Sequence, residues 1–308
     1  MAMVDNSLIS ALCEGLGERA VLLNEPMSKH TTFRIGGPAD VLVMPQTEEQ
    51  AAFVVRSCRA ASVPLRVIGR GSDLLVADTG LSGVVMKIAG NLADVRVNGS
   101  RIEAQAGASN ARIAEAAAQA ALTGYEFAAG IPGTVGGAAI MNAGAYGGEF
   151  RDVACRLVCL NAAGEVVSLR AYEAQWGYRC SAMDTTNTIV LRVILQLMPG
   201  NTQDIRDRMA DLSRRRREKQ PLEMPSAGST FKRPVGYFAG KLIEDAGLRG
   251  FSIGGAQVSQ KHTGFVVNAD GATASDVRTL IREVQRRVRE NSGVDLHPEV
   301  RCWGFKDE

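Results

Sequence analysis

Aromatic side chains make up only 5% of this 308-residue chain, and there are just three histidines, His30, His262 and His297. So few histidines leave no zinc-ligand set, although Cys155 and Cys159 stand in CxxxC spacing. An excess of charge of either sign is also missing. Thirty-five basic against 33 acidic groups give a net charge of +2, which offers no global field for gripping nucleic acid or anionic lipid. No stretch reads as a membrane span. The longest uncharged run, Phe127 to Gly148, has the length but carries seven glycines, a proline, a threonine and an asparagine. The N-terminus lacks a basic head followed by an apolar core, and Asp5 and Glu14 stand where a signal peptide would not have them. The six cysteines (Cys13, Cys58, Cys155, Cys159, Cys180, Cys302) are scattered. A chain of this length needs no disulfide staples, so they read as reduced, buried thiols in a cytosol. Neither GxGxxG between a first strand and its helix nor GxxxxGK[ST] occurs, which removes the Rossmann and P-loop fingerprints.

Glycine is what the chain has in abundance: 33 residues, about 11% against a usual ~7%. Hydrophobic residues at 45% and charged residues at 22% are ordinary for a soluble globular protein. The length allows two or three domains.

Periodicity divides the chain into three parts. In residues 1–85, Leu8, Leu12 and Leu16 mark a helix from Asp5 to Gly17. A strand over Ala39–Met44 follows, then a helix over Ala51–Ala61 with Thr47 as its cap and Gln50 three residues on, then a strand over Leu65–Ile68. That last strand runs into the glycine loop Gly69-Arg70-Gly71-Ser72-Asp73. Residues 86–201 alternate short strands around an alanine-rich helix, Asn110–Leu122, with a hairpin turn at Asn161–Gly164. Residues 202–294 carry a charged helix from Asp204 to Lys219, a short helix at Lys241–Ala246, a strand at Gly264–Asn268 and an amphipathic helix at Ala274–Glu290. The tail from Asp295 to Phe305 is a further strand candidate. The first part reads as a small β-α-β unit, and the middle block as α+β with more strand than helix.

The densest chemical signal is Gly124–Gly148, with eight glycines in 25 positions. Glycines in such number let the backbone turn tightly, approach a ligand closely and aim successive N–H groups at a phosphate or pyrophosphate. With the Gly69–Asp73 loop, they suggest a dinucleotide-sized ligand; tight turns and packed crossings are the alternative. Ser229, beside a glycine and ahead of Lys232 and Arg233, has no histidine near it in sequence. That suits a proton donor better than a nucleophile, with a turn or cap serine the commoner reading of such a residue. Arg179 in Trp176–Ser181 and Glu299 after Pro298 carry no message by themselves. Arg214–Arg217 point in four directions around a helix near its C-terminal end, where cations suit the dipole, and lack neighbouring aromatics for base stacking.

Eight segments together resemble one family, the UDP-N-acetylenolpyruvoylglucosamine reductases (MurB). They are HTTFRIGGPAD from His30, GRGSDLLVADTGLSGVVM from Gly69, AGIPGTVGGAAIMNAGAYGGE from Ala129, GYRCS from Gly177, AGSTFKRP from Ala227, AGKLIEDAGLRG from Ala239, VSQKHTGFVVN from Val258 and HPEV from His297. They run in the family's order over about residues 20–304. The short spacing from Arg179 to Ser229 resembles the compact, type II variant, which lacks an inserted tyrosine loop. Asp73 stands where the family usually has asparagine, and Arg233 where many members do.

The resemblance implies a FAD-binding fold of the PCMH, or vanillyl-alcohol-oxidase, type. It would consist of two α+β subdomains, 1–85 and 86–201, plus a C-terminal α+β substrate-binding domain, 202–294, with the strand in 295–308 returning to the second subdomain. It implies NADPH-dependent reduction of UDP-N-acetylglucosamine enolpyruvate to UDP-N-acetylmuramate through bound FAD, in bacterial peptidoglycan precursor synthesis. Arg179, Ser229 and Glu299 match the catalytic set. Arg70, Gly71, Ser72, Asp73, Gly130, Gly133, Thr134, Gly136, Gly137 and Asn142 are the expected cofactor contacts, and Tyr178, Lys232, Arg233, Lys241 and His262 the expected substrate contacts. A cytoplasmic monomer working on a small molecule, without metal, nucleic acid or membrane, completes the expectation. An oxidase of the same fold and a non-catalytic nucleotide-binding regulator are the rivals.

Overall fold

The computed structural model describes residues 4–306; the outermost positions of the expected first subdomain (1–3) and of the returning tail (307–308) lie outside the described residues. The chain forms two compact units. One comprises residues 1–23, 41–70 and 83–216, the other residues 24–40, 71–82 and 217–308.

The first unit starts with α1 (Asn6–Leu16), capped by the Asp5 side chain, which accepts from the Leu8 amide. Leu8, Leu12 and Leu16 fall on one face because four residues are about one helical turn, and that face packs on α2 (Glu48–Ala60). At the start of α2 the Thr47 hydroxyl accepts from the Gln50 amide, as the sequence predicts. The returning bond from Gln50 lands on the Gln46 amide, one residue before the cap. A four-stranded sheet follows in the order Val21–Pro26, Pro38–Val43, Leu81–Lys87, Leu65–Ile68, its last pair parallel. A five-stranded antiparallel sheet runs Val166–Arg170, Ala154–Leu160, Ile189–Gln196, Arg101–Gln105, Val95–Asn98. Its first hairpin turns at Asn161–Gly164, where the Asn161 side chain accepts from the amides of Ala163 and Glu165. The alanine-rich helix α3 (Asn110–Gln119) stops three residues short of the predicted Leu122, because Ala121 enters the left-handed region (φ 54°) and Leu122–Thr123 pairs with Met198–Pro199. The glycine segment holds an unpredicted short helix, α4 (Val135–Ile140), and α5 (Ala182–Thr185) follows later. The unit ends at Arg216, inside α6 (Thr202–Lys219). One continuous core fills it, with Met86, Ile102, Ile113, Tyr125, Phe150, Leu157 and Leu160 fully buried.

The second unit has its own core, built on α8 (Ala274–Ser292), with α7 (Ala239–Asp245) packed against it. Val277, Leu280, Ile281, Val284 and Val288 repeat at helical spacing on the buried face of α8. Thr273 and Asp276 form a reciprocal capping box at its start, and Gly293 at φ 72° ends it. A three-stranded antiparallel sheet, Ser252–Ile253, Ala256–Val258 and Val266–Asn268, lies on α8. The C-terminal strand does return, as Arg301–Trp303, but its partner is Leu74–Val76, in parallel register. That partner lies in the first predicted segment, 1–85, and not in 86–201. Leu74–Val76 is wholly buried and too short to show a period in the sequence.

All six cysteines are free. Burial pushes the Cys58 thiol up to about 11 and Cys159 to about 12, so both behave as small apolar groups. Cys180, by contrast, is exposed.

Candidate active site

In the second unit, three stretches distant in sequence lie side by side. Residues 225–232 form the middle one. On one edge the Asn268 amide donates to the Pro225 carbonyl (2.9 Å), the Thr230 amide to the Gly264 carbonyl (2.9 Å), and the Val266 amide to the Thr230 hydroxyl (2.8 Å). On the other edge the Glu299 amide donates to the Thr230 carbonyl (2.9 Å) and the Lys232 amide to the His297 carbonyl (2.8 Å). Thr230 is fully buried between these edges, whereas its neighbour Ser229 is exposed and Glu299 half-buried. Two of the three expected catalytic residues are thus joined through one main-chain pairing, with the serine hydroxyl accessible to a substrate.

The same unit fixes the Gly71 turn. Gly71 has φ +60°, and a Cβ placed on it would lie 2.4 Å from the His30 carbonyl oxygen, so no other residue fits there. The Thr32 amide donates to the Gly71 carbonyl (3.1 Å), and the Thr32 hydroxyl to the carbonyl of Ser226 (2.6 Å), three residues before Ser229. Ser72 and Asp73 are half-buried, and the Asp73 carbonyl accepts from the Arg301 amide (3.0 Å). Arg70, the last residue of its stretch of the first unit, is exposed.

Of the expected substrate contacts in this unit, Lys232 is half-buried. Arg233 lies over the Phe238 ring at 3.9 Å from its centroid and donates to the Tyr237 carbonyl (3.2 Å). Lys241 is exposed on α7, with its ammonium paired to Asp245 one turn on. His262 accepts from the Gly264 amide at Nδ1 (3.1 Å), and its ring meets Phe265 edge-on. Burial lowers its pKa, with the nearby charges of Arg249 and Lys219 adding to the effect.

In the first unit Gly69 lies against the glycine-rich segment. A Cβ on Gly69 would lie 2.5 Å from the Thr134 hydroxyl oxygen. Among the described residues, the amides of Gly130, Gly133 and Thr134 have no acceptor. Exposed N–H groups of this kind fit the phosphate-rich chain of a dinucleotide. The Gly136 and Gly137 amides are already committed, to the Ala106 carbonyl (3.0 Å) and to the Thr134 hydroxyl (3.4 Å). Gly136 is glycine for packing, since a Cβ there would lie 2.9 Å from that of Ala106. Asn142, expected from the sequence to touch the cofactor, is 1% exposed and gives its amide to protein groups instead. Arg179 donates to the Gly144 carbonyl (3.0 Å) and lies 5.2 Å from the centroid of the half-exposed Tyr178 ring.

One residue escaped sequence reasoning. Within the arginine run, Arg214 and Arg215 pair with Asp211 (2.7 and 2.8 Å). Arg216 instead lies against the glycine segment, 3.3 Å at Cδ from where a Gly130 Cβ would be. Among the described residues it has no hydrogen-bond or ion-pair partner, and burial lowers its pKa. A partly buried guanidinium without a carboxylate suits an anionic ligand. Only its 100° offset from its neighbours on α6 hinted at this, and a run of four leaves that offset unreadable.

Comparison with known proteins agrees with this geometry. Residues 39–170 match the FAD binding domain family, and residues 220–303 the C-terminal domain of UDP-N-acetylenolpyruvoylglucosamine reductase. The grass pollen allergen Phl p 4, with glucose dehydrogenase activity, shares the fold over 62% of this chain and 44% of its own at 16% identity (TM-score 0.51). The fold and the amide-lined glycine loops define a FAD-dependent oxidoreductase of α+β, PCMH type. Much closer likenesses go further. The UDP-N-acetylenolpyruvoylglucosamine reductase of Caldanaerobacter subterraneus subsp. tengcongensis is 48% identical over 97% of this chain and 99% of its own length. That of Clostridium botulinum strain Hall is 52% identical over 94% of each. The crystal structure of MurB from Thermus caldophilus superposes with a TM-score of 0.78 at 36% identity, over 92% of this chain and 98% of that one. The chain belongs to the UDP-N-acetylenolpyruvoylglucosamine reductase family.

Proposed function

We infer that the protein reduces the enolpyruvyl ether of UDP-N-acetylglucosamine to UDP-N-acetylmuramate, using NADPH and FAD, and so serves peptidoglycan precursor synthesis. The observation that carries this is near full-length likeness to reductases of that name, in a chain whose fold pairs the Ser229 and Glu299 segments. Bound FAD would supply the hydride chemistry, relaying a hydride from NADPH to the methylene carbon of the enolpyruvyl group.

The chain's own groups must do three things. Negative charge develops beside the substrate carboxylate, and preorganised donors are the efficient way to stabilise it. Arg179 is proposed to bind that carboxylate, because a guanidinium is a rigid, permanently charged fork. Glu299, half-buried beside the Ser229 segment, is proposed as a second donor to it when protonated. The Ser229 hydroxyl, exposed and held by its buried neighbour Thr230, is proposed to give the proton that completes the reduction. The amides of Gly71, Gly130, Gly133 and Thr134 are proposed to hold the cofactor's phosphates, with Arg70, Ser72 and Asp73 beside the Gly71 turn. Arg216 is proposed to face an anionic oxygen of the same cofactor. Tyr178, Lys232, Arg233, Lys241 and His262 are proposed as substrate contacts.

No helix among the described residues is long and apolar enough to cross a membrane. We propose a cytoplasmic enzyme that acts as a monomer, with no nucleic-acid partner.

The test is an anaerobic titration. Purified protein should be yellow; one equivalent of NADPH should bleach the flavin bands, and the enolpyruvyl sugar should restore them. Restoration by molecular oxygen and an alcohol product, with no response to the sugar, would favour an oxidase of the same fold. A colourless protein that refuses FAD would overturn the reading altogether.

A further inference from the structure

We propose that Asn142 is a positioning residue for Arg179, seconded by Trp176, and not a cofactor ligand. The inference rests on the assignment of Arg179 to the substrate carboxylate made above.

Arg179 sits on a tight turn in which the Gly177 amide donates to the Cys180 carbonyl (3.1 Å). Its own backbone is left-handed, at φ 56°, and Gln175 just before the turn is at φ 45°. Such conformations are unfavourable for residues with a Cβ and persist only where their surroundings hold them. Three holding hydrogen bonds come from the glycine segment and its end. The Trp176 indole N–H donates to the Ala139 carbonyl at the end of α4 (2.7 Å). The Arg179 guanidinium donates to the Gly144 carbonyl (3.0 Å). Between them, the Asn142 amide donates to the Gly177 carbonyl (2.9 Å), inside the turn itself.

Asn142 is suited to this and to nothing else in reach. Its side-chain nitrogen also donates to Glu149 (3.0 Å), and its oxygen accepts from the Arg151 amide (3.0 Å). Both amide hydrogens and the carbonyl oxygen are engaged, so no donor is left for a flavin or a phosphate. It is buried and stands at φ 43°, where asparagine is among the few side chains tolerated. A buried, fully satisfied amide that bridges two segments fixes their relative position. Here one segment carries Arg179 and the other carries Gly130, Gly133 and Thr134.

The test uses the FAD-loaded protein. Asn142→Gly keeps the left-handed backbone available and removes the amide. FAD affinity, followed by flavin fluorescence, should change by less than about threefold, and flavin reduction by NADPH should keep its rate. Reoxidation by the enolpyruvyl sugar should fall on the order of 100-fold, the usual cost of about 1 Å of misplacement. In an Arg179→Ala background the same substitution should cost less than about twofold, because the group it positions is gone. Trp176→Phe keeps the ring against Phe150 and removes only the indole bond; it should act in the same direction and carries the test if Asn142→Gly does not fold. Wild-type reoxidation in these variants, undiminished cost without Arg179, or loss of FAD in Asn142→Gly would each overturn the proposal. If Arg179→Ala alone reoxidises at the wild-type rate, it is the assignment of Arg179 that fails.

Discussion

The main-chain amide of Glu299 donates to the carbonyl of Thr230, so Glu299 is registered against the neighbour of Ser229, 69 positions earlier. Thr230 is locked on its other edge as well, its hydroxyl accepting from Val266 and its amide donating to Gly264. A side chain on such a doubly paired stretch loses little further freedom when substrate arrives, which is what a proton donor needs.

Ser229→Ala follows directly. Flavin reduction by NADPH should be unchanged, while reoxidation by the enolpyruvyl sugar should slow by roughly 10²–10⁴-fold, the range for loss of a general acid. Stopped-flow absorbance separates the two halves. An equal loss in both would assign Ser229 a structural role only.

Gly71→Ala should cost cofactor rather than chemistry. The added methyl would enter the space of the His30 carbonyl from a backbone at φ +60°, so the turn must shift. The ratio of flavin to protein absorbance after purification should drop, and added FAD should restore little of it. Full flavin content would mean the turn tolerates a side chain and is not a close approach.

Asp78→Ala should destabilise the fold without touching the reaction. The Asp78 carboxylate accepts from the amides of Ala274 (2.7 Å) and Ser275 (3.0 Å), the first two residues of α8. It thereby joins Thr273 in satisfying that terminus. Loss of such a cap costs about 1 kcal/mol. Urea titration should show a lower midpoint with kcat unchanged; an unaltered midpoint would make the contact energetically idle.

His262 should give stability a pH dependence of known sign. Its folded pKa lies below its ordinary 6.5 because burial disfavours the charged ring. Above about pH 7.5 the ring is neutral in both states and its contribution is constant. As pH falls below that value the unfolded chain takes up the proton first, so stability declines until the folded value is passed. His262→Asn, which can still accept from the Gly264 amide, should flatten the melting curve against pH below about 7.5. A slope identical to wild type would show that other groups set it.

Patterns of one or two turns were legible in the sequence because they are set locally. The leucines of α1, the Thr47 cap, the Asn161 hairpin and the apolar stripe of α8 each follow from helical or strand spacing and from side chains that bond their own backbone. The helix α4 was not legible, because two of its six residues are glycine and its formation is imposed by the Ala106 strand end packed on Gly136. Nor was the partner of the C-terminal strand, since Leu74–Val76 has three buried residues and no period.

The candidate site divides in the same way. Composition argued against a membrane span and a zinc site, and the ordered motifs named the family, with Arg179, Ser229 and Glu299 as the residues proposed for its chemistry. Those are properties of residue type and order, which a linear chain carries in full. Which amides stay free, that Gly136 and Asn142 are committed to the protein, that Lys241 answers to Asp245 and that Arg216 turns toward Gly130 depend on hydrogen bonds and burial between segments far apart in the chain. A donor is spent or available only in relation to the acceptor that folding brings within 3 Å of it, so the tertiary structure alone could assign those roles.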